Sequence, residues 1–465
     1  MVMPSVTTRP ERSYAMLWRH LCQVRAWSAA GLFSGVLILA PLQAPAQSPR
    51  LDDSELTTAP PEVLTRTVDL LKASKSGELS AVAHGQGQDR ALLTIRNTSQ
   101  TRLNVVLPAG LVASATAGQG RGLQSIGLGT ISNRPGGFGE FAMGRPEGLQ
   151  SVKLEVAANK PSVTVPVGET LELSVPSVCL NYGLPAPTPR DTLALMDVDD
   201  YTTNPRVRKG LRSLCCLGTS QGVAQAVMWH LCSDLPFETM AAQAGKVMNK
   251  AEIALAARFV DILDAATGSG LVEPAALSQG RLFVRIQAEG ALAKDAQRLN
   301  DQIQNERLLG LPVHAVNNGE LPSALAPALY VKVVLTDSKI GETRGRIGVS
   351  SCAVSDQWTP LGKATFYDAT SLEVLDGQAV SRALDRAIAA EFVSVKPARR
   401  TVGSTILRLE NHLPFTLVRA QLKAGSSAGA PFVPYEGLGV GPTRSLLLPI
   451  QAATATIERV ELNGL

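Results

Sequence analysis

The spacing of apolar residues changes several times along this 465-residue chain, and each change limits what the next stretch can form. From Leu79 the pattern is that of short strands. Leu92-Leu93-Thr94-Ile95 and Leu103-Asn104-Val105-Val106-Leu107 flank the polar cluster Asn97-Thr98-Ser99. Ser162-Val163-Thr164-Val165 and Leu171-Glu172-Leu173-Ser174-Val175 flank Pro166-Val167-Gly168-Glu169. Antiparallel strands joined by polar turns predict an Ig-like β-sandwich over 79–180. Within it, 118–148 carries ten glycines, which lose the most backbone freedom on folding, so that stretch reads as a mobile insertion.

Over 181–270 the period becomes helical. Asn204 is placed to cap a helix with Pro205 at its first position, and a second helix is expected from Ser220 to about Cys232. Asn249-Lys250-Ala251-Glu252 is a capping box ahead of the stripe Ile253, Ala256, Ala257, Val260 and Leu263. Over 281–397 the order is a strand (Leu282 to Ile286), a helix (Leu292, Ala296, Leu299, Ile303) closed by Gly310, and alternating Leu329, Val331, Val333 and Leu335. Arg346 to Val354 pairs back across a turn near Gly341, and Val380, Leu384, Ala387 and Ile388 form a last helix. This predicts a small α+β domain with helices on one face of a sheet. Pro397 and Arg399-Arg400 read as a linker to a C-terminal β module over 403–465. There Ile406 to Asn411 matches Leu93 to Asn97 in form, a strand ending in Asn and turning into another strand, but the match is too short to call a repeat. The fold class is therefore multidomain, β-rich α+β. The element order of 281–397 resembles the N-terminal domain of TolB-type and CsgG-type envelope proteins; the resemblance implies that domain's fold and carries no site residues.

Residues 1–46 have the layout of a secretory signal peptide. Arg9, Arg12, Arg19 and Arg25 precede the apolar run Ala29 to Ala40, and Ala44-Pro45-Ala46 fits the cleavage pattern. Export to the periplasm or the outside, with a cut before Gln47, is the expectation. Residues 47–78 then read as a polar, disordered start and a short helix set by Leu64, Val68 and Leu71. The chain has 44 Lys+Arg and 40 Asp+Glu, and residues 1–46 hold four Arg and one Glu, leaving 40 against 39. That balance gives no field to draw nucleic acid. Aromatic residues are 4%, so the cores must rely on Val, Leu, Ile and Ala. Beyond the leader no apolar stretch reaches the ~20 residues of a transmembrane helix, so the mature chain is expected to lack an anchor.

Five cysteines follow the leader: Cys179, Cys215, Cys216, Cys232 and Cys352. An oxidising compartment suggests a bridge from Cys179 or Cys232 to Cys215 or Cys216; the alternative is five buried thiols. No C-x-x-C or paired His has ligand spacing, so neither metal nor other cofactor is expected.

Gly218-Thr219-Ser220-Gln221-Gly222 fits G-x-S-x-G, the nucleophile elbow of hydrolases. Leu214 to Leu217 would be its strand, His412 the base, and Asp337, Asp368 or Asp385 the orienting acid. The other reading is that Thr219 or Ser220 caps a helix. Asp197-Val198-Asp199-Asp200 suggests a calcium loop but has Thr202 and Arg208 where an EF-hand needs Gly and Glu. Arg206, Arg208, Lys209 and Arg212 form a basic cluster without interleaved aromatics, suited to an anionic glycan or an acidic protein patch more than to nucleic acid. Gly118-Gln119-Gly120-Arg121-Gly122 lacks the dinucleotide spacing, His84 and His314 are isolated, and Asn97-Thr98-Ser99 fits the N-glycosylation pattern. These readings favour an exported, non-enzymatic binding or scaffold protein with a protein or glycan partner. A secreted serine hydrolase using Ser220 and His412 is the first alternative, and an envelope-complex subunit docking through 281–397 the second.

Overall fold

A computed structural model describes residues 65–465 except 88, 116–121, 129–154, 158–159, 244–247, 267–269, 305, 318–320, 325, 355–356, 402–403, 426–432 and 451–453. The leader, the start expected to be disordered and most of the glycine-rich stretch lie outside the described residues.

The first module holds β1 (Thr65–Asp69), α1 (Leu70–Lys75), β2 (Leu79–Gly85), β3 (Arg90–Asn97), β4 (Arg102–Val106), β5 (Leu111–Ala115), β6 (Ile126–Leu128), β7 (Glu155–Ala157), β8 (Lys160–Val165), β9 (Thr170–Cys179) and β10 (Thr192–Asp197). The helix expected around Val68 is instead strand β1, with α1 beginning where the Asp69 carboxylate accepts the Leu71 and Lys72 N–H groups. One sheet runs β1-β4-β8-β7; the other six strands close as β10-β2-β3-β9-β6-β5. This pairing does not confirm an Ig-like sandwich. Closure also needs strands that the sequence reading did not name, two of them where no strand was expected. One is β10, placed there among the helices; the other is β6, inside the glycine-rich stretch. Gly127 in β6 is a close-approach glycine, since a Cβ there would lie 2.8 Å from Leu211 Cδ1. Leu93 and Ile95 of β3 pack with Leu103, Val105, Val163 and Val165 in one apolar core, each such burial contributing roughly 1.5–3 kcal/mol.

The helical segment comprises α2 (Val198–Tyr201), α3 (Pro205–Leu217), α4 (Gln221–Ser233), α5 (Phe237–Ala242), α6 (Lys250–Ala265) and α7 (Pro274–Ser278). Next come β11 (Leu282–Gln287), α8 (Ala293–Ile303), β12 (Arg307–Leu308), β13 (Leu311–Ala315), β14 (Ala328–Lys339), β15 (Glu342–Val354), β16 (Gln357–Asp368) and α9 (Gly377–Phe392). Their sheet runs β12-β13-β11-β14-β15-β16, with α8 against β11 and α9 against β16. Gly310 does not end α8. It turns β12 into β13 with Leu309, at φ of 82° and 51°, as a two-residue hairpin needs.

The last module is β17 (Val393–Thr401), β18 (Ser404–Asn411), β19 (Leu417–Gly425), β20 (Val433–Val440), β21 (Ser445–Ile450) and β22 (Thr454–Leu462), in sheets β17-β18-β21 and β20-β19-β22. The stretch read as a linker is strand β17, paired with β18 and bulged between Pro397 and Arg399, which is how an edge strand tolerates proline. One continuous apolar core joins the helical segment, the α+β sheet and this module.

The two β modules repeat one another in geometry. Asn97 N donates to Glu169 O at 3.0 Å, and Asn411 N to Arg444 O at 2.9 Å. Asn97 Nδ2 donates to Thr101 O and Val165 O, and Asn411 Nδ2 to Phe415 O and Val440 O. Each Oδ1 accepts the N–H two residues on, from Ser99 and from Leu413. The registers coincide: Leu79↔Asn97 with Val393↔Asn411, Arg96↔Thr170 with Glu410↔Ser445, Leu103↔Val165 with Leu417↔Val440. Gly168 (φ 73°) corresponds to Thr443 (φ 53°). In both copies the Asn turn carries the chain from one sheet into the other, and its amide donates to a carbonyl of the turn and to one at the end of a strand.

Candidate functional site

Ser220 is the N-cap of α4. Its Oγ accepts the Val223 N–H at 3.3 Å and donates to Glu252 Oε1 at 2.9 Å. The segment before it is helix α3, not a strand: Val207, Leu211 and Leu214 keep the helical period through Cys215, and Gly218 at φ 71° ends the helix. The motif is therefore helix, glycine, helix, without the strand an elbow requires. His412 is exposed, with Nε2 3.8 Å from Glu410 Oε2, and among the described residues no hydrogen bond links it to Ser220. Of the orienting acids considered, Asp337 sits by Lys339 and Asp368 by Arg386. The structure does not assemble the Ser220–His412 pair.

Instead Ser220 joins a buried polar node. Glu252 is 1% exposed, and its Oε2 accepts the Asn249 N–H at 2.8 Å and Arg444 Nη2 at 2.6 Å. The capping box thus does two jobs, starting α6 and receiving an arginine from the C-terminal module. Arg444 stands where the first β module has Glu169, so this copy's turn is adapted to dock on the helices. Gly222 and Gly441 leave room for the node: a Cβ at Gly222 would fall 2.3 Å from Glu252 Cδ, and one at Gly441 2.7 Å from Ser220 Cβ.

The other sequence candidates resolve into packing. None of the five described cysteines, Cys179, Cys215, Cys216, Cys232 and Cys352, is in a disulfide. Cys179 lies in the barrel wall and Cys215 Sγ donates to Leu128 O at 3.6 Å. Burial pushes the Cys179 thiol up to about 11, with Asp89 adding to it, and the Cys232 thiol up to about 12, so both stay protonated at neutral pH. The acidic and basic clusters satisfy each other. Arg212 Nη2 binds Asp197 Oδ1 at 2.6 Å and Asp199 Oδ2 at 2.8 Å, while Arg206 grips Asp264 with two nitrogens. The hydrogen bond from Arg212 holds the Asp199 carboxyl below its ordinary range. Among the described residues no three His, Cys, Asp or Glu converge to hold a metal ion. Asn97 of the glycosylation pattern is 1% exposed and its amide nitrogen donates twice, so the turn itself uses the group a glycan would need.

The sequence reading missed a cleft of about 1430 Å³ between the α+β sheet and the C-terminal module. One wall is α9, which presents Arg382, Asp385, Arg386, Ala389 and Ala390. The opposite wall is β22, lined from Ala455 to Asn463; the β12–β13 hairpin, α7 and Cys216 close the rest. Among the described strands β22 pairs with β19 alone. The Leu309 turn sits between the walls: its N–H donates to Asp385 Oδ1 at 2.5 Å and its carbonyl accepts the Leu462 N–H at 2.8 Å. Burial raises the Asp385 carboxyl to about 6, offset by the Leu309 N–H and by Arg459. The signal was present in sequence as a second stripe on α9 at i, i+3, i+4, i+7 and i+8, opposite the apolar stripe used to recognise the helix. No helix among the described residues is long and apolar enough to cross a membrane. No protein-family model, curated protein or solved structure matches this chain.

Proposed function

We propose that the protein is exported and acts as a non-enzymatic binding or scaffold protein of the cell envelope or extracellular space, taking an extended polypeptide segment of a partner into the α9–β22 cleft. The observation that carries this is that β22, which among the described strands pairs with β19 alone and is capped at Leu462 by the Leu309 carbonyl, lines a cleft together with α9. Extended peptides bind strand edges by adding a strand, gaining affinity from main-chain hydrogen bonds. At about 1430 Å³ the cleft exceeds the roughly 300–1,000 Å³ of drug-sized ligand pockets. Among the described residues of its lining none is aromatic to stack on a sugar, which favours a polypeptide over a glycan. The α9 wall belongs to 281–397, so docking through that domain falls within the same proposal. The crossing of the chain between sheets at Asn97 and Asn411 supports an Ig-like class for both β modules. The Arg-rich start, apolar run and Ala44-Pro45-Ala46 support export, and an intact mass beginning at Gln47 is the expected product.

The test places a photo-crosslinking residue at Ala390, in the cleft, or at Val374, which is 70% exposed and outside the lining. Crosslinked envelope protein is mapped, and the captured segment is synthesised as a peptide. Binding of that peptide to the wild type, weakened at least tenfold by Ala390→Trp, supports the reading. Equal capture at both positions, or an affinity indifferent to Ala390→Trp, refutes it.

A further inference from the structure

The sheet of the α+β unit has a packed face and an open one. Val284, Val331, Val333, Ile347 and Phe366 are buried in one core with Leu299 of α8 and Leu384 of α9. Strand alternation turns their neighbours to the other side. There Arg285 stands beside Lys332, Lys332 beside Gly348, and Gly348 beside Lys363, in register across four strands. Arg346 lies two residues from Gly348, toward the β14–β15 turn. Lys332, Arg346 and Lys363 are exposed, and Arg285 is half-buried. A Cβ on Gly348, in the middle of this group, would meet no atom within 4 Å. The strands place two acids on the same face, and each has a cation of its own: Asp337 lies 3.7 Å from Lys339 and Glu342 3.0 Å from Arg344. Among the described residues the other four cations are in no ion pair.

The hairpin adds an apolar point to this charged face. Residues 335–339 of β14 run beyond its last pair with β11, Val334 with Gln287. The turn that follows carries Ile340, whose side chain is fully exposed at 104%. Tyr367 is half exposed, its ring 5.9 Å from the Arg344 guanidinium carbon.

We propose that this face and the Ile340 turn seat the protein on a bilayer surface that contains anionic phospholipid. The whole chain has 44 Lys+Arg against 40 Asp+Glu, so the attraction comes from segregation of cations and not from their number. Lys and Arg grouped near an anionic leaflet each add to binding, and an apolar side chain that passes the headgroups adds the hydrophobic part. Tyr367 is suited to headgroup level, where tyrosine is enriched. A single-stranded nucleic acid would instead need a row of free rings. Here Phe283, Tyr330 and Trp358 pack on one another, with Trp358 Nε1 donating to Pro322 O at 2.9 Å. Among the described residues of this face Tyr367 alone is an exposed ring. Because α9 covers the opposite face, a seated protein keeps its α9–β22 cleft open, and the seat does not depend on the function proposed for that cleft.

Flotation of the purified protein with vesicles tests this, using phosphatidylcholine alone or mixed equally with phosphatidylglycerol. The wild type should float with the mixed vesicles, far less with phosphatidylcholine, and less as salt rises. Lys363→Glu should weaken binding to the mixed vesicles about tenfold or more, and Ile340→Ser about tenfold. Lys294→Glu makes the same charge change on α8, across the sheet, and should bind like the wild type. All three side chains are exposed; should Lys363→Glu fail to fold, Arg346→Glu takes its place. Equal flotation with both vesicles, or none with either, overturns the proposal. So does a loss in Lys294→Glu that matches Lys363→Glu, an Ile340→Ser protein that binds like the wild type, or preference for a single-stranded oligonucleotide over the mixed vesicles.

Discussion

Asp385 ties stability to pH through a single turn of chain. Its carboxylate accepts the Leu309 N–H while burial raises its pKa from 3.8 to about 6. Between about pH 4 and 6 the unfolded chain has lost this proton and the folded chain keeps it. Stability therefore falls as pH rises through that window, by about 1.4 kcal/mol per unit. Over the 2.2 units separating 3.8 from 6 this amounts to about 3 kcal/mol, fully present below pH 4 and lost above pH 6. Asp385→Asn keeps an oxygen for the Leu309 N–H and removes the charge. Urea unfolding of both proteins at pH 4, 5, 6 and 7 isolates the effect, because the other titrating groups are common to both. The two should be nearly equal at pH 4, with the variant ahead by about 3 kcal/mol at pH 7. Parallel curves, or a variant that loses ground as pH rises, would show that the carboxylate is not desolvated as described.

Other expectations can be read with similar assays. A fluorophosphonate serine probe should leave Ser220 unlabelled, and Ser220→Ala should lower stability by about 1 kcal/mol as loss of an N-cap; labelling abolished by that substitution would restore the hydrolase reading. Glu252→Ala strips Arg444, Ser220 and the Asn249 N–H of one acceptor and should cost about 3 kcal/mol, the lower end for a broken buried pair because Arg444 is partly exposed. Gly222→Ala, which drives a methyl into the Glu252 carboxylate, should cost about 1–3 kcal/mol by denaturant unfolding. Asn411→Ala leaves the carbonyls of Phe415, Val440 and Gly441 without that donor and should cost more than Gly168→Ala, where only left-handed backbone strain of about 1–2 kcal/mol is added.

Long periodic segments were legible in the sequence because one period decided them. The β14–β15 hairpin turns near Gly341, α6 starts at its capping box, and α3 starts at Asn204 and Pro205 as read. The failures all depended on distant partners. Ile126-Gly127-Leu128 resembles loop until Leu211 is known to pack over Gly127, and Pro397 resembles a linker until β18 is known to lie alongside. The likeness of Leu93–Asn97 to Ile406–Asn411 was visible but too short to establish a repeat, because the signature is mostly backbone: one Asn amide, a few carbonyls and a matching register. The cleft went unread because α9 was recognised by its buried stripe, and Arg382, Asp385 and Arg386 on its other face gain meaning only opposite β22. Ser220 is the helix cap that the sequence favoured; the hydrolase alternative stayed open there because five letters specify a turn and not the element before it.

Two copies of one strand pattern on one chain create a folding hazard: β3 presents to β21 the register it offers β9, and β18 could likewise accept β9. The turns that share an Asn differ in the residues just after it. In the second copy Leu413 and Phe415 are fully buried, whereas the equivalent Ser99 and Thr101 of the first lie toward solvent. A chimeric pairing would bring the apolar pair to a site with no cavity for it, or leave that cavity empty. Divergence at these two positions acts as a sorting code, sending each strand to its own module while the shared Asn keeps the crossing geometry in both.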